Sequence, residues 1–213
     1  MNSKVNMKKV SGFTLIELVI VVVILGFLAV TAIPKFLDLT DQAKQANIEG
    51  MAGGFATAIS LARAQWEAEG RPQNGSSQNS VNYDGSILVL TTENTTVTPN
   101  IRPGYVTGLT NGAALGGGFG SDNCVEIWEN ILQQPPRITN SIAVLNNDSS
   151  MRYYATFSGT SSTIQCHYYL KESLNRDVNS DWVAPTPVGS TTIGNSFTYQ
   201  PANSSVIVYI NDV

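Results

Sequence analysis

From Phe13 to Ile33 the chain reads FTLIELVIVVVILGFLAVTAI, 21 residues interrupted only by Thr14, Glu17, Gly26 and Thr31. As a helix rising about 1.5 Å per residue, such a run crosses the roughly 30 Å hydrocarbon core of a bilayer. It is apolar on all sides, so no soluble core is needed to explain it. Upstream stand Lys4, Lys8 and Lys9 with no acidic residue. Basic residues flanking a first span stay on the cytoplasmic side, which places everything after Ile33 outside the cytoplasm.

Three readings compete for the segment. An ordinary secretory signal would be cut at small residues after the run; Val30-Thr31-Ala32 could serve, but Ile33-Pro34 follows at once. A plain signal anchor explains the length and the lysines but leaves Glu17 without a purpose. A carboxylate inside a span costs about 2.5 to 3.5 kcal/mol on insertion scales and calls for a partner, or must snorkel to the interface. The third reading is a leader cut on the cytoplasmic side, before the apolar run begins.

With its flank, the segment is Lys8-Lys9-Val10-Ser11-Gly12-Phe13-Thr14-Leu15-Ile16-Glu17-Leu18. This resembles the class III leader of type IV prepilins. The resemblance implies that prepilin peptidase cuts between Gly12 and Phe13 and methylates the new Phe13 amine. It also implies that Glu17 acts in assembly, its carboxylate pairing with the Phe13 amine of a neighbouring subunit. Implied partners are other pilin subunits, the peptidase/methylase and an inner-membrane assembly machinery. The implied path runs from a single-pass inner-membrane precursor, N-terminus cytoplasmic and head periplasmic, to an extracellular pilus.

Past Pro34 the pattern becomes one-sided. Ile48, Met51, Phe55, Ile59, Ala62 and Trp66 recur at three- and four-residue steps, with Lys44, Glu49, Arg63, Glu67 and Glu69 mostly between them. An amphipathic helix therefore continues the span over 34–69. Pro34, the expected kink, Gly26 and the Gly53-Gly54 pair are the weak points, where a kink or melted stretch is expected.

Residues 70–80 read as the loop that ends the helix. Strand-like runs at 86–91, 151–157, 163–170, 193–200 and 205–210 have hairpin spacings, which predicts an antiparallel sheet. Between them, 122–132 predicts a short helix, opened by Asn123 three residues before Glu126 and closed by Pro135-Pro136. The expected fold is α+β: a long N-terminal helix packed on an antiparallel head, an αβ-roll by the resemblance. The expected organisation is a leader over 1–12, a membrane and filament-core helix over 13–33, its amphipathic continuation over 34–69 and a head over 70–213.

Composition agrees with export. The 213 residues are 42% hydrophobic and only 13% charged, about half the usual charged fraction. The net charge of −4 and the lack of any basic run beyond Lys8-Lys9 leave no phosphate-tracking surface, so nucleic acid is set aside. One histidine, His167, and two cysteines are too few for a four-ligand zinc site, and neither a catalytic constellation nor a cofactor is expected. In an oxidising compartment Cys124 and Cys166 are most simply a disulfide. A Cys pair commonly staples the head of type IV pilins, although 47 residues follow Cys166 here, where many pilins have their second Cys close to the end.

Weaker signals complete the reading. Asp177-x-Asn179-x-Asp181 has the opening spacing of a calcium loop, but Trp182 stands where Gly is wanted, which favours a solvated turn. Gly116-Gly117-Gly118-Phe119-Gly120 reads as a flexible loop. Asn74, Asn94, Asn147 and Asn203 open glycosylation-like triplets of the kind that arise by chance in a chain rich in Asn, Ser and Thr. Residues 29–39, 48–50 and 123–126 resemble pilins of the mannose-sensitive haemagglutinin (MSHA) type, and this resemblance implies a minor adhesive subunit. The alternative is a type II secretion pseudopilin.

Overall fold

The computed structural model describes residues 12–109 and 115–211. Of the expected leader, 1–12, residues 1–11 with its lysines lie outside them. The chain divides into two compact units, Met1–Ala43 and Lys44–Val213.

Helix α1 runs from Leu15 to Ala68 with Pro34 inside it. The expected melted stretch is absent, since the helix is continuous through Gly26, Pro34 and Gly53-Gly54. Pro34 removes one backbone donor, and helical turns on both sides hold the segment cooperatively. In the first unit every large apolar side chain from Phe13 to Leu39 is exposed. The second unit opens with the amphipathic stretch, where Ile48, Ala52, Phe55, Ala58, Ile59, Ala62 and Trp66 are buried. Ala52 and Ala58 join the anticipated stripe, and Met51 stays at its margin. The helix ends as its sequence dictates. Gly70 takes φ +81°, its N–H reaches Glu67 O and the Arg71 N–H reaches Trp66 O, the double bond of a Schellman cap.

Two sheets share the core. Strands β1 (Ser80–Tyr83), β2 (Ser86–Leu90) and β3 (Val106–Gly108) form an antiparallel three-stranded sheet. The first hairpin turns through Asp84 and Gly85, both at positive φ, as a two-residue Asp-Gly turn requires. The second sheet runs β4 (Ile138–Thr139), β5 (Tyr153–Ser158), β6 (Gln165–Leu170), β7 (Ser196–Gln200) and β8 (Ser205–Tyr209). Its long strands are antiparallel, as expected. The two-residue β4 adds in parallel to β5 and was invisible in the sequence because it has no room for periodicity.

Helix α2 spans Ser121–Ile131, one residue earlier than expected at each end. Its cap differs too. Gly120 is the N-cap, and Asn123 sits within the first turn with its Oδ1 accepting the Gly120 N–H. Helix α3 (Ile142–Asn147) starts on the Ser141 hydroxyl.

Phe55 of α1 is the centre of the core, with ring centroids 5.2 Å from Tyr168, 5.4 Å from Phe197 and 5.4 Å from Tyr199. Two buried tyrosines satisfy their hydroxyls on other elements. Tyr168 donates to Cys124 O of α2, and Tyr199 donates to Val106 O, tying the two sheets together. Burial raises the pKa of both phenols well above the ordinary value, so they act as neutral donors.

Candidate functional site: the start of helix α1

Gly12 and Phe13 precede the helix in non-helical backbone, and both are exposed. A side chain added at Gly12 would meet nothing within 4 Å, and the Phe13 ring is 84% exposed. A backbone-cleaving enzyme could therefore approach this junction from open space.

Thr14 and Glu17 form the first structured element. Glu17 Oε2 accepts the Thr14 N–H at 2.8 Å and the Thr14 hydroxyl at 2.7 Å, while the Glu17 N–H points to Thr14 Oγ1 at 3.4 Å. This is a capping box, in which two orphan donors of a helix start are satisfied reciprocally. The Thr-x-x-Glu spacing is present in the sequence but is masked by the apolar run around it, where Glu17 reads first as a charge within a span that the resemblance assigns to assembly. Oε2 takes both Thr14 donors, and Oε1 makes no hydrogen bond among the described residues. A carboxylate also suits the positive end of the helix dipole.

Beyond this cap α1 presents apolar side chains on every face, with Ile16, Val23, Phe27 and Val30 all at least half exposed. Among the described residues α1 is long and apolar enough to cross a membrane. These side chains are exposed among the described residues, a surface suited to lipid or to other protein.

The remaining sequence candidates separate from this site. Cys124 of α2 and Cys166 of β6 are joined in a disulfide with Cα atoms 5.5 Å apart, and both residues are fully buried. At the calcium-like spacing, Asp177 Oδ1 accepts the N–H groups of Asn179 at 2.8 Å and Asp181 at 2.9 Å. That carboxylate closes its own turn, and no cluster of metal-ligating side chains occurs among the described residues. His167, which nothing in the sequence marks for a role, is buried beneath the connection from β6 to β7.

Residues 7–33 match the prokaryotic N-terminal methylation motif. Over 64 residues the chain is 50% identical to the type IV narrow pilus major component PilA5 of Thermus thermophilus, a match covering 30% of this chain and 53% of that protein. Over 51 residues it is 45% identical to the type II secretion system core protein G of Pseudomonas aeruginosa, covering 24% of this chain and 36% of that one. The chain thus spans about half the length of the first relative and about a third of the second. No solved structure matches it. The chain is type IV pilin-like in its N-terminal motif and in its architecture of an apolar helix with an antiparallel head.

Proposed function

We propose that this chain is a structural subunit of a type IV pilus, a minor member of the MSHA type, made as a membrane-held precursor and assembled into surface fibres for adhesion or motility. The observation that carries the reading is the junction at the start of α1: an exposed Gly12-Phe13 bond, then the Glu17 cap, then a stretch apolar on all sides whose side chains are exposed. Cleavage there by a prepilin peptidase removes the basic leader and creates a cationic amine on Phe13, which is then methylated. In a filament the apolar helices of neighbouring subunits replace lipid, and Pro34 provides the weak turn at which each helix bends to fit. Glu17 Oε1 accepts from the Phe13 amine of a neighbour, and in so low a dielectric leaving either charge unpaired costs several kcal/mol. The subunit needs no cofactor or metal for this, and catalysis is not part of its role. The sequence similarity to a type II secretion protein supports a second reading, a pseudopilin of a secretion machine.

Glu17→Val separates assembly from folding. The processed variant should accumulate in the inner membrane in normal amount and be depleted from sheared fibres. Equal recovery of mutant and wild type in fibres would overturn the pairing. Loss of exoprotein secretion without any loss of surface fibres on deletion of the gene would favour the second reading.

A further inference from the structure

Strand β6 has two faces. Cys166, Tyr168 and Leu170 point into the core with α1, while His167 and Tyr169 point to the opposite side of the sheet. That side is covered by α3 and by the irregular segment 174–195, which connects β6 to β7 and lies over it as a strap. Leu145, Tyr154, Tyr169 and Leu174 pack there, with Trp182 of the strap against them.

His167, the chain's single histidine, is 1% exposed. Its Nε2 lies 2.7 Å from Ser158 Oγ, and its Nδ1 is buried with no hydrogen-bond partner. The strap passes directly over this pair at Gly189, where an added Cβ would stand 2.8 Å from Nε2 and 2.9 Å from Ser158 Oγ, at a φ of +78°. Only glycine permits that approach. The next strap residue, Ser190, accepts the Tyr169 hydroxyl through its carbonyl at 2.7 Å, and the Tyr169 ring stacks near the imidazole. Thr156 of β5 and Thr198 of β7 flank His167 in register. Every group facing the ring from β5, β7, the strap and its own strand is thus uncharged.

We propose that His167 is an acid-operated latch, whose protonation releases the stretch 186–193 of the strap from the back of the sheet. A neutral imidazole has a single N–H donor, which on Nε2 is satisfied by Ser158 Oγ, and only the Nδ1 lone pair is then left unpaired. An imidazolium carries two N–H donors, one of them aimed at no acceptor, and among the described residues no carboxylate neutralises it. Burial of such a cation is unfavourable, and hydrating it relieves the cost. The strap yields more readily than the strands. Thr186, Pro187 and Val188 are exposed, and Ser190 and Thr191 are held by the bonds from Tyr169 and from Asn211 Nδ2. The first half of the strap is pinned more firmly, because Asn146 exchanges two hydrogen bonds with the Trp182 backbone and Trp182 and Ala184 also pack against the cluster of Leu145, Tyr154 and Tyr169. Opening is therefore confined to the second half, and it uncovers Tyr169, Ser158 and the sheet beneath. This inference stands on the head alone and does not depend on the filament reading.

The direction follows from linkage. Burial lowers the His167 pKa from 6.5 to about 4. The closed form thus binds the proton less tightly than the open form, so closure is fully favoured above about pH 6.5 and loses ground as pH falls through about 4. The open population rises by about 150-fold between pH 7.5 and pH 4 and approaches about 300-fold only at lower pH.

The test is amide hydrogen exchange on the full chain in detergent micelles at pH 7.5 and pH 4, with rates corrected for intrinsic pH dependence. Protection over 186–193 should fall at least tenfold in acid while β6 and β7 keep theirs. His167→Gln should hold the strap closed at both pH values, and Gly189→Ala should loosen it at both. Strap protection unchanged in acid, strap and strands exchanging together, or equal acid release in His167→Gln would each overturn the latch. Should His167→Gln fail to fold, the single imidazole resonance of the wild type decides: its titration must track strap release, and a midpoint near 6.5 with the strap still protected overturns the proposal.

Discussion

Thr14 and Glu17 hold each other at the first turn of α1, the carboxylate taking both the backbone and the hydroxyl donor of the threonine three residues before it. The glutamate therefore has a partner before any neighbour arrives. In the membrane-held precursor we propose, its insertion cost is partly offset within its own chain, and Oε1, unbonded among the described residues, is open to a second donor.

This relationship separates capping from pairing. Thr14→Val removes the cap and keeps the charge, whereas Glu17→Gln keeps an acceptor for Thr14 and removes the charge. The first should cost about 1 kcal/mol of local helix stability, seen as faster exchange in the opening turn, with only a modest loss from fibres. Glu17→Gln should keep the first turn protected and be depleted from fibres severalfold more than Thr14→Val. Neither should shift the melting of the head, because the first α1 residue buried in the core is Ile48.

Processing has a chemical signature. Mass spectrometry of the mature protein should find N-methyl-Phe13 at its start. Loss of Lys4, Lys8 and Lys9 leaves nine basic side chains against 16 acidic, so the mature side-chain balance is −7. Gly12→Arg places a long cation at the open junction and should leave precursor in the inner membrane. An N-terminus at Ile33 in the mature wild type would show an ordinary signal cut instead.

The disulfide closes a loop with a sequence separation of 42, worth about 4 kcal/mol by chain entropy. Cys124→Ser should lower head stability in chemical denaturation by about that amount and leave leader cleavage unchanged. Natively purified wild type should react with no alkylating reagent until it is both unfolded and reduced, since both sulfur-bearing residues are fully buried.

Phe55 offers the sharpest test of how α1 joins the head. Its ring meets those of Trp128, Tyr168, Phe197 and Tyr199. Phe55→Ala should cost about 3 to 5 kcal/mol, measured by denaturant titration. Leu61→Ala, on the exposed face of the same helix, should stay within about 0.5 kcal/mol.

Local signals in the sequence determined much of this protein. The apolar run 13–33, the leader pattern around Gly12 and the stripe from Ile48 to Trp66 are legible because each is a feature of consecutive or helically spaced residues. The hairpin strands and the Cys pair belong to the same class, one by alternation and the other by being the only two cysteines in the chain. Tertiary structure decided the rest. A helix runs through Pro34 because neighbouring turns outweigh one missing donor, and β4 exists only because β5 offers it an edge. Strands of the head divide between two sheets that a tyrosine, Tyr199, ties together across the core. His167 looks in sequence like an ordinary strand residue between Cys166 and Tyr168. Its burial, its unpartnered nitrogen and the glycine pressed over it arise from a segment some twenty residues further along the chain, and such contacts between distant segments leave no periodic trace in the sequence.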